Sequence, residues 1–277
     1  MKYNFLITTS AGNQIDCDLY SIARNESKPV VLFVHGFKGF KDWGFFPDAA
    51  RYFAENGYHA ITFNFSHNGV SPGSIDFDDL AGFAKNSLSL EVDELKEISS
   101  FIISSNFCNF SGQLFIIGHS RGGGAVLLAS PSIKNLYAAA VWSSISYVDR
   151  YTERQKKEWK ENGSLNFLNT RTGQEMKMNY SFLEDILINK DGKLSIEKST
   201  GKLEIPVLAV HGEIDLTVPV KDSERIISYS KNKNSQLFIV PKAGHTFNMV
   251  HPAVEITNQF STVINKTEKF FRRYIRG

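Results

Sequence analysis

A short apolar run, Leu114-Phe115-Ile116-Ile117, feeds into Gly118-His119-Ser120-Arg121-Gly122-Gly123-Gly124 and then into Ala125-Val126-Leu127-Leu128-Ala129. No other stretch constrains the fold as tightly. A strand, a G-x-S-x-G turn and a helix in that order set a serine on a sharp bend. A side chain at Gly118 or Gly122 would crowd the crossing of strand and helix. Ser120 is then expected in a strained backbone conformation that lifts its hydroxyl clear of the sheet. The competing reading is a Gly-rich turn whose serine only caps the following helix, because serine is a favoured N-cap. The rest of the chain has to choose between them.

Around this stretch the sequence alternates between strand and helix patterns. Residues 5–9 and 15–22 read as a hairpin through Ser10-Ala11-Gly12-Asn13. Val30-Val31-Leu32-Phe33-Val34 is apolar throughout, as expected of a strand covered on both faces. A helix is expected over 45–56, with Gly57 as its stop, and a further interior strand over 58–65. The turn formers from Ser66 to Gly73 follow, in a position to fold near a pocket mouth. In 86–105, Leu88, Val92, Leu95, Ile98, Phe101 and Ile102 recur at helical spacing. Glu91, Asp93, Glu94, Lys96 and Glu97 are then expected to face water. Strands over 137–142, 205–210 and 236–240, with helices over 220–230 and 256–275, complete the rhythm. The pattern predicts an α/β fold: a mostly parallel central sheet of about eight strands, right-handed crossovers and helices on both faces.

Between Ser143 and Leu203 the rhythm breaks. Residues 1–143 and 204–277 are expected to form the core, and 144–203 a cap inserted above the strand ends. Tyr147, Tyr151, Trp159, Met176, Met178 and Phe182 lie in this insertion. They can either grip an apolar or aromatic acyl group or fasten the insertion to the core. Leu165-Asn166-Phe167 and Met176-Lys177-Met178 can pair as a small hairpin through Asn169-Thr170-Arg171-Thr172-Gly173.

Composition excludes several classes. The 277 residues carry a formal net charge of +2 and no basic run interleaved with aromatics, so no nucleic-acid partner is expected. Lys156-Lys157 and Arg272-Arg273 read as solvated helix faces, the first pair being also placed to border an entrance for an anionic substrate. No run of about 18 apolar residues suggests stable membrane insertion. The start of the chain does not read as a secretory signal, and a cytoplasmic location is expected. Cys17 and Cys108 are too few and too far apart for a disulfide scaffold and are expected as free, partly buried thiols. Self-association is compatible with the sequence and is not specified by it.

Two strand ends supply partners for Ser120. His211-Gly212-Glu213-Ile214-Asp215 follows one strand, and Pro241-Lys242-Ala243-Gly244-His245 follows the last. A neutral hydroxyl needs a base to take its proton as it attacks a carbonyl, and an imidazole titrating near about 6.5 suits that task. His245 is the candidate base, and Asp215 the carboxylate that orients it and stabilises the imidazolium. Glu213 is a rival to Asp215, and His67 a rival to His245. His35-Gly36-Phe37-Lys38-Gly39, after the first interior strand, is the candidate oxyanion loop. The backbone N–H groups of Phe37 and Arg121 are the expected donors. His119 and His211 are read as structural. No H-E-x-x-H or zinc-like spacing occurs and no dinucleotide fingerprint opens the first strand-to-helix turn, so neither a metal nor a cofactor is expected.

Together these motifs make the chain closely resemble the α/β-hydrolase superfamily over nearly its whole length. They are the HGF loop at 35–37, Gly118-His119-Ser120-Arg121-Gly122, Gly212-Glu213-Ile214-Asp215 and Gly244-His245. Within it the chain is similar to serine carboxylesterases of the cinnamoyl or feruloyl esterase type and to serine-aminopeptidase-like hydrolases. That resemblance implies a small-molecule ester substrate, an acyl-enzyme on Ser120 and a cap that receives the acyl group. Arg121 stands where Gln or Met is more usual, and its guanidinium is available to a carboxylate of cap or core. Peptide or amide, thioester and lysophospholipid cleavage are the alternatives within the same fold. A noncatalytic binding or interaction protein is the alternative outside enzymology.

Overall fold

A computed structural model describes residues 1–105 and 107–276. The amino-terminal hairpin pairs β1 (Lys2–Thr8) with β2 (Gln14–Tyr20). Next come β3 (Lys28–Val34), α1 (Phe46–Glu55), β4 (His59–Phe63), the short α2 (Leu80–Lys85) and the crossover helix α3 (Leu88–Ser104). β5 (Phe110–His119), α4 (Arg121–Ala129) and β6 (Leu136–Trp142) follow. Then α5 (Glu153–Asn162), the hairpin of β7 (Ser164–Asn169) and β8 (Gln174–Asn179), α6 (Tyr180–Asn189) and α7 (Ile196–Thr200) intervene. The chain continues through β9 (Val207–Gly212), α8 (Val220–Tyr229), β10 (Gln236–Val240) and α9 (Asn258–Arg272).

Among the described residues eight strands form one sheet in the order β1-β2-β4-β3-β5-β6-β9-β10. β2 runs antiparallel to both β1 and β4, and every pairing from β4 across to β10 is parallel. Period-two alternation explains why β3 is apolar throughout from Val30 to Val34. Val30, Leu32 and Val34 pack with Leu95 and Ile98 of α3 and Val126 of α4, on one face. Val31 and Phe33 pack with Phe46 and Phe53 of α1 and Phe260 and Phe271 of α9, on the other. Several helices, α3, α5 and α9 among them, begin where a hydroxyl satisfies a free N–H group. Ser87 accepts from Leu90 at 3.1 Å and Thr257 from Phe260 at 3.1 Å, while Thr152 and Gln155 cap α5 reciprocally.

One expectation about α3 is corrected. Glu91 and Glu94 do not face water; they are 2% and 1% exposed. Each is buried where other side chains or backbone groups bring it donors. Glu91 accepts from Asn86 Nδ2 at 2.8 Å and from the Arg121 guanidinium at 2.5 Å. Glu94 accepts from the Ser66 N–H at 3.0 Å and from the Ser66 hydroxyl. Burial still raises its pKa, despite the donors. The segment between β6 and β9 turns its large side chains inward. Trp159, Met176, Met178 and Phe182 are all fully buried and join the same apolar cluster as Val30 and Leu95. Trp159 stacks on Phe182 with centroids 6.1 Å apart and donates to the Met178 carbonyl at 2.9 Å.

Candidate active site

In a parallel sheet the loops after successive strands open on the same side, and those after β3, β5, β9 and β10 meet there. Ser120 sits between β5 and α4 with φ 56° and ψ −123°. A non-glycine residue at such a φ is strained, and the close crossing of strand and helix maintains the strain. A Cβ added to Gly118 would lie 2.6 Å from the Gly122 carbonyl oxygen, and one added to Gly122 would lie 2.6 Å from that of Val34. Only glycine lets α4 start this close to β3 and β5.

The three residues singled out for nucleophile, base and acid are brought together. The Ser120 hydroxyl donates to His245 Nε2 at 3.0 Å, and His245 Nδ1–H donates to Asp215 Oδ2 at 2.8 Å. The other Asp215 oxygen accepts from the backbone N–H groups of Thr217 and Val218 at 2.8 and 2.9 Å. His211 supplies a further donor: its Nε2 lies 3.2 Å from Asp215 Oδ2 and 2.8 Å from the Val218 carbonyl, while its Nδ1 meets the Ser223 hydroxyl at 2.7 Å. Two acceptors on one side and a hydroxyl on the other put the His211 proton on Nε2. Burial alone would raise the Asp215 pKa. The hydrogen bonds from His211, His245 and Val218 overcome it and hold the carboxyl well below the usual carboxylate range. An ionised Asp215 in turn fixes the Nδ1–H tautomer of His245, leaving Nε2 to accept from Ser120.

Two histidines brace the loops without meeting Ser120 by hydrogen bond. His119 Nε2–H donates to the His245 carbonyl at 3.0 Å; burial, with the neighbouring His245 ring, pushes its pKa down to about 3. His35 Nδ1–H donates to the Gly36 carbonyl at 3.0 Å and its Nε2 accepts from the Phe65 N–H at 3.2 Å; burial lowers its pKa to about 4. Both stay neutral at physiological pH. The sequence reading of His119 as structural did not say what it holds, and the bracing by His35 and the grip of His211 on Asp215 were missed. The only sequence signal for them is their position at strand ends.

The loop carrying Phe37 runs beside the start of α4: a Cβ added to Gly36 would lie 3.4 Å from the Arg121 nitrogen. Among the described residues neither the Phe37 nor the Arg121 backbone N–H donates to a protein acceptor. The Arg121 side chain pairs with Glu91 and stacks between two rings, its guanidinium carbon 4.6 Å from the Phe37 centroid and 5.2 Å from that of Phe182. Its carboxylate partner is thus in the core, and a ring partner is on α6.

A cleft of about 600 Å³ opens over Ser120 and His245. Its apolar wall comes from Phe37, Trp43, Phe46, Phe77 and Val250, and the tip of the β7–β8 hairpin contributes Asn169, Thr170 and Arg171. Trp159, Met176, Met178 and Phe182 do not line it. Nor do residues 66–73: His67 Nδ1 meets the Ser66 hydroxyl at 2.6 Å. Glu213 accepts from the Lys242 N–H at 2.9 Å, so neither rival joins Ser120. Lys156 and Lys157 lie on α5, paired with Asp149, Glu153 and Glu161, and do not border the cleft. Among the described residues no group of three or more His, Cys, Asp or Glu side chains is arranged to hold a metal ion.

The profile of the prolyl oligopeptidase family matches residues 48–276. The chain belongs to the prolyl oligopeptidase family. That match takes in Ser120, Asp215 and His245, while the Phe37 loop precedes it. Solved structures similar to this family member include GrgF, an α/β hydrolase from Penicillium sp. sh18, at 15% identity over 99% of each chain and a TM-score of 0.77. Est1E from Butyrivibrio proteoclasticus with ferulic acid bound is similar at 18% identity over 98% of each chain, with a TM-score of 0.73. A monoacylglycerol lipase from Paleococcus ferrophilus is similar at 15% identity over 90% of this chain and 97% of its own, with a TM-score of 0.66. No curated protein matches the chain by sequence. These likenesses establish the α/β-hydrolase fold of this prolyl oligopeptidase family chain. No helix of the described residues is long and apolar enough to cross a membrane.

Proposed function

We propose that this protein is a serine hydrolase that cleaves carboxylic esters of small molecules through an acyl-enzyme. The observation that carries the reading is the chain of hydrogen bonds from Ser120 through His245 to Asp215, at 3.0 and 2.8 Å, beside two unengaged backbone N–H groups. Ser120 Oγ attacks the acyl carbonyl as its proton passes to His245 Nε2. The oxyanion forms against the N–H groups of Phe37 and Arg121. The imidazolium, stabilised by Asp215, protonates the departing alkoxide. The neutral imidazole left behind then takes a proton from a water that attacks the acyl carbon, and the acid leaves as His245 returns that proton to Ser120. Residues 144–203 act as a cap, a role supported by Asn169, Thr170 and Arg171 at the cleft. The aromatic wall of Phe37, Trp43, Phe46 and Phe77 suits a short acyl or hydroxycinnamoyl group. The free buried thiols Cys17 and Cys108 suit a cytoplasmic setting.

Family membership favours a second reading, peptide hydrolysis. Against an aminopeptidase stands the cleft, where among the described residues no Asp or Glu is placed to receive a free amine. The deciding experiment compares kcat/KM for p-nitrophenyl acyl esters, methyl hydroxycinnamates, lysophospholipids and aminoacyl p-nitroanilides, with Ser120→Ala as the blank. Ser120-dependent turnover highest on the acyl esters or hydroxycinnamates is expected. Preference for the anilides would replace the esterase reading by the peptidase one. No turnover, with no labelling by a fluorophosphonate probe, would remove both.

A further inference from the structure

The charges that line the cleft are one-sided. Lys38 and Arg171 border it with three histidines, and among the described residues no aspartate or glutamate does. Lys38 is held by neutral groups: its Nζ donates to the Leu168 carbonyl at 2.9 Å and lies 5.6 Å over the Phe37 ring. Arg171 is exposed at the hairpin tip, its backbone N–H donating to Asn169 Oδ1 at 3.3 Å. Among the described residues its guanidinium has no carboxylate partner, unlike those of Arg121, Arg150 and Arg272.

His251 supplies a third donor. Its Nδ1 accepts from the Gly44 N–H at 2.9 Å, which puts the ring proton on Nε2. The ring stacks on Trp43 with centroids 6.0 Å apart. His251 and Arg171 line the same cleft, and burial and then the Arg171 charge lower the pKa of the imidazole. Asp42 and Asp76 oppose that effect more weakly, and Asp42 is already engaged by Lys41 and Lys2 at 2.7 and 3.0 Å.

Resting on the ester-hydrolase reading, we infer that the ester this cleft takes carries a free carboxylate, held by Arg171 and the Nε2–H of His251. Trp43, Phe46, Phe77 and Val250 supply the apolar wall for the carbons between that carboxylate and the scissile carbonyl. A guanidinium offers a carboxylate two parallel donors, and beside an apolar wall the pair is less screened than on open surface. An ammonium group in the same place would be repelled by Lys38 and Arg171.

The test is calorimetric binding to Ser120→Ala, which needs no turnover. Glutarate monomethyl ester and the acetyl ester of γ-hydroxybutyrate put the carboxylate on the acyl and on the alcohol arm, and each is compared with its uncharged primary amide. At least one acid is expected to bind about tenfold more tightly than its amide at low salt, the range of a charged hydrogen bond. In Ser120→Ala/Arg171→Gln that preference should largely vanish. Equal binding of acids and amides overturns the inference, as does a preference that survives loss of Arg171. Turnover of uncharged p-nitrophenyl acetate by the unmutated protein, with Ser120→Ala as blank, is measured alongside. Its failure strikes the ester-hydrolase reading, whereas equal binding with normal turnover strikes only the carboxylate.

Discussion

The loops at the ends of β5, β9 and β10 and the segment between β6 and β9 are both rich in aromatic and polar side chains, and they use them in opposite directions. In the loops, Ser120, His245 and Asp215 form one hydrogen-bonded line at the base of an open cleft, with His211 and His119 bracing it from below. In the intervening segment, Trp159, Met176, Met178 and Phe182 turn away from the cleft and into the core. Among the described residues of this segment, only the hairpin tip, with Asn169, Thr170 and Arg171, reaches the cleft. Aromatic content in a segment beside a cleft is therefore a poor guide to what lines the cleft. Position at a strand end is a better one.

The sharpest attempt to break that contrast is at the loops. Ser120→Ala and His245→Asn should each lower kcat/KM on an activated ester by a factor on the order of 10⁴ or more, with unchanged circular dichroism. Retention of most activity by either folded variant would dissolve the proposed roles. Trp159→Ala should act on stability instead, losing about 3–5 kcal/mol in denaturant titrations, as the truncation of a buried aromatic does. If it instead changed KM at constant stability, the inward-facing account of the segment would be wrong.

Glu91 and Arg121 join the two regions, so they sharpen the comparison. Glu91→Leu leaves the guanidinium without its carboxylate and should cost about 3–5 kcal/mol, the usual penalty for half of a buried pair. The double variant Glu91→Leu/Arg121→Met should recover a large part of that loss, and a double-mutant cycle with no coupling would argue against the pairing.

The smallest effect concerns Asp149, which ties Lys156 on α5 to Lys190 beyond α6 at 2.8 Å each. Burial would raise its carboxyl, but the two ammonium groups hold it below its ordinary value of 3.8. A depressed folded pKa means that stability is present above that ordinary value and is lost as pH falls through the folded one. Asp149→Asn should thus cost less than about 1 kcal/mol at neutral pH and make the acid-side decline shallower. An unchanged acid limb in urea titrations would show that the contact adds nothing.

The fold was readable because the strand patterns are strong and their spacing regular. Val30 to Val34, apolar throughout, read as a doubly covered strand, and the glycines around Ser120 suit a tight crossing. The three residues that meet at the cleft were readable for a related reason: each follows a separate strand, and parallel strands deliver their ends to one side. Glu91 was misread because helical spacing identifies an apolar face but not a polar partner. Its partner, Arg121, lies thirty positions further along and on a different helix. The inward turn of Trp159 and Met176 was undecidable for a similar reason, since nothing local distinguishes a side chain that faces a ligand from one that faces the core.

Phe182 and Trp159 belong to the same apolar cluster as the strands of the central sheet, and Phe182 also covers the guanidinium that pairs with Glu91. Cutting the segment away would therefore flood both an apolar surface and a buried ion pair. Heat should melt the segment and the sheet together, in one cooperative transition.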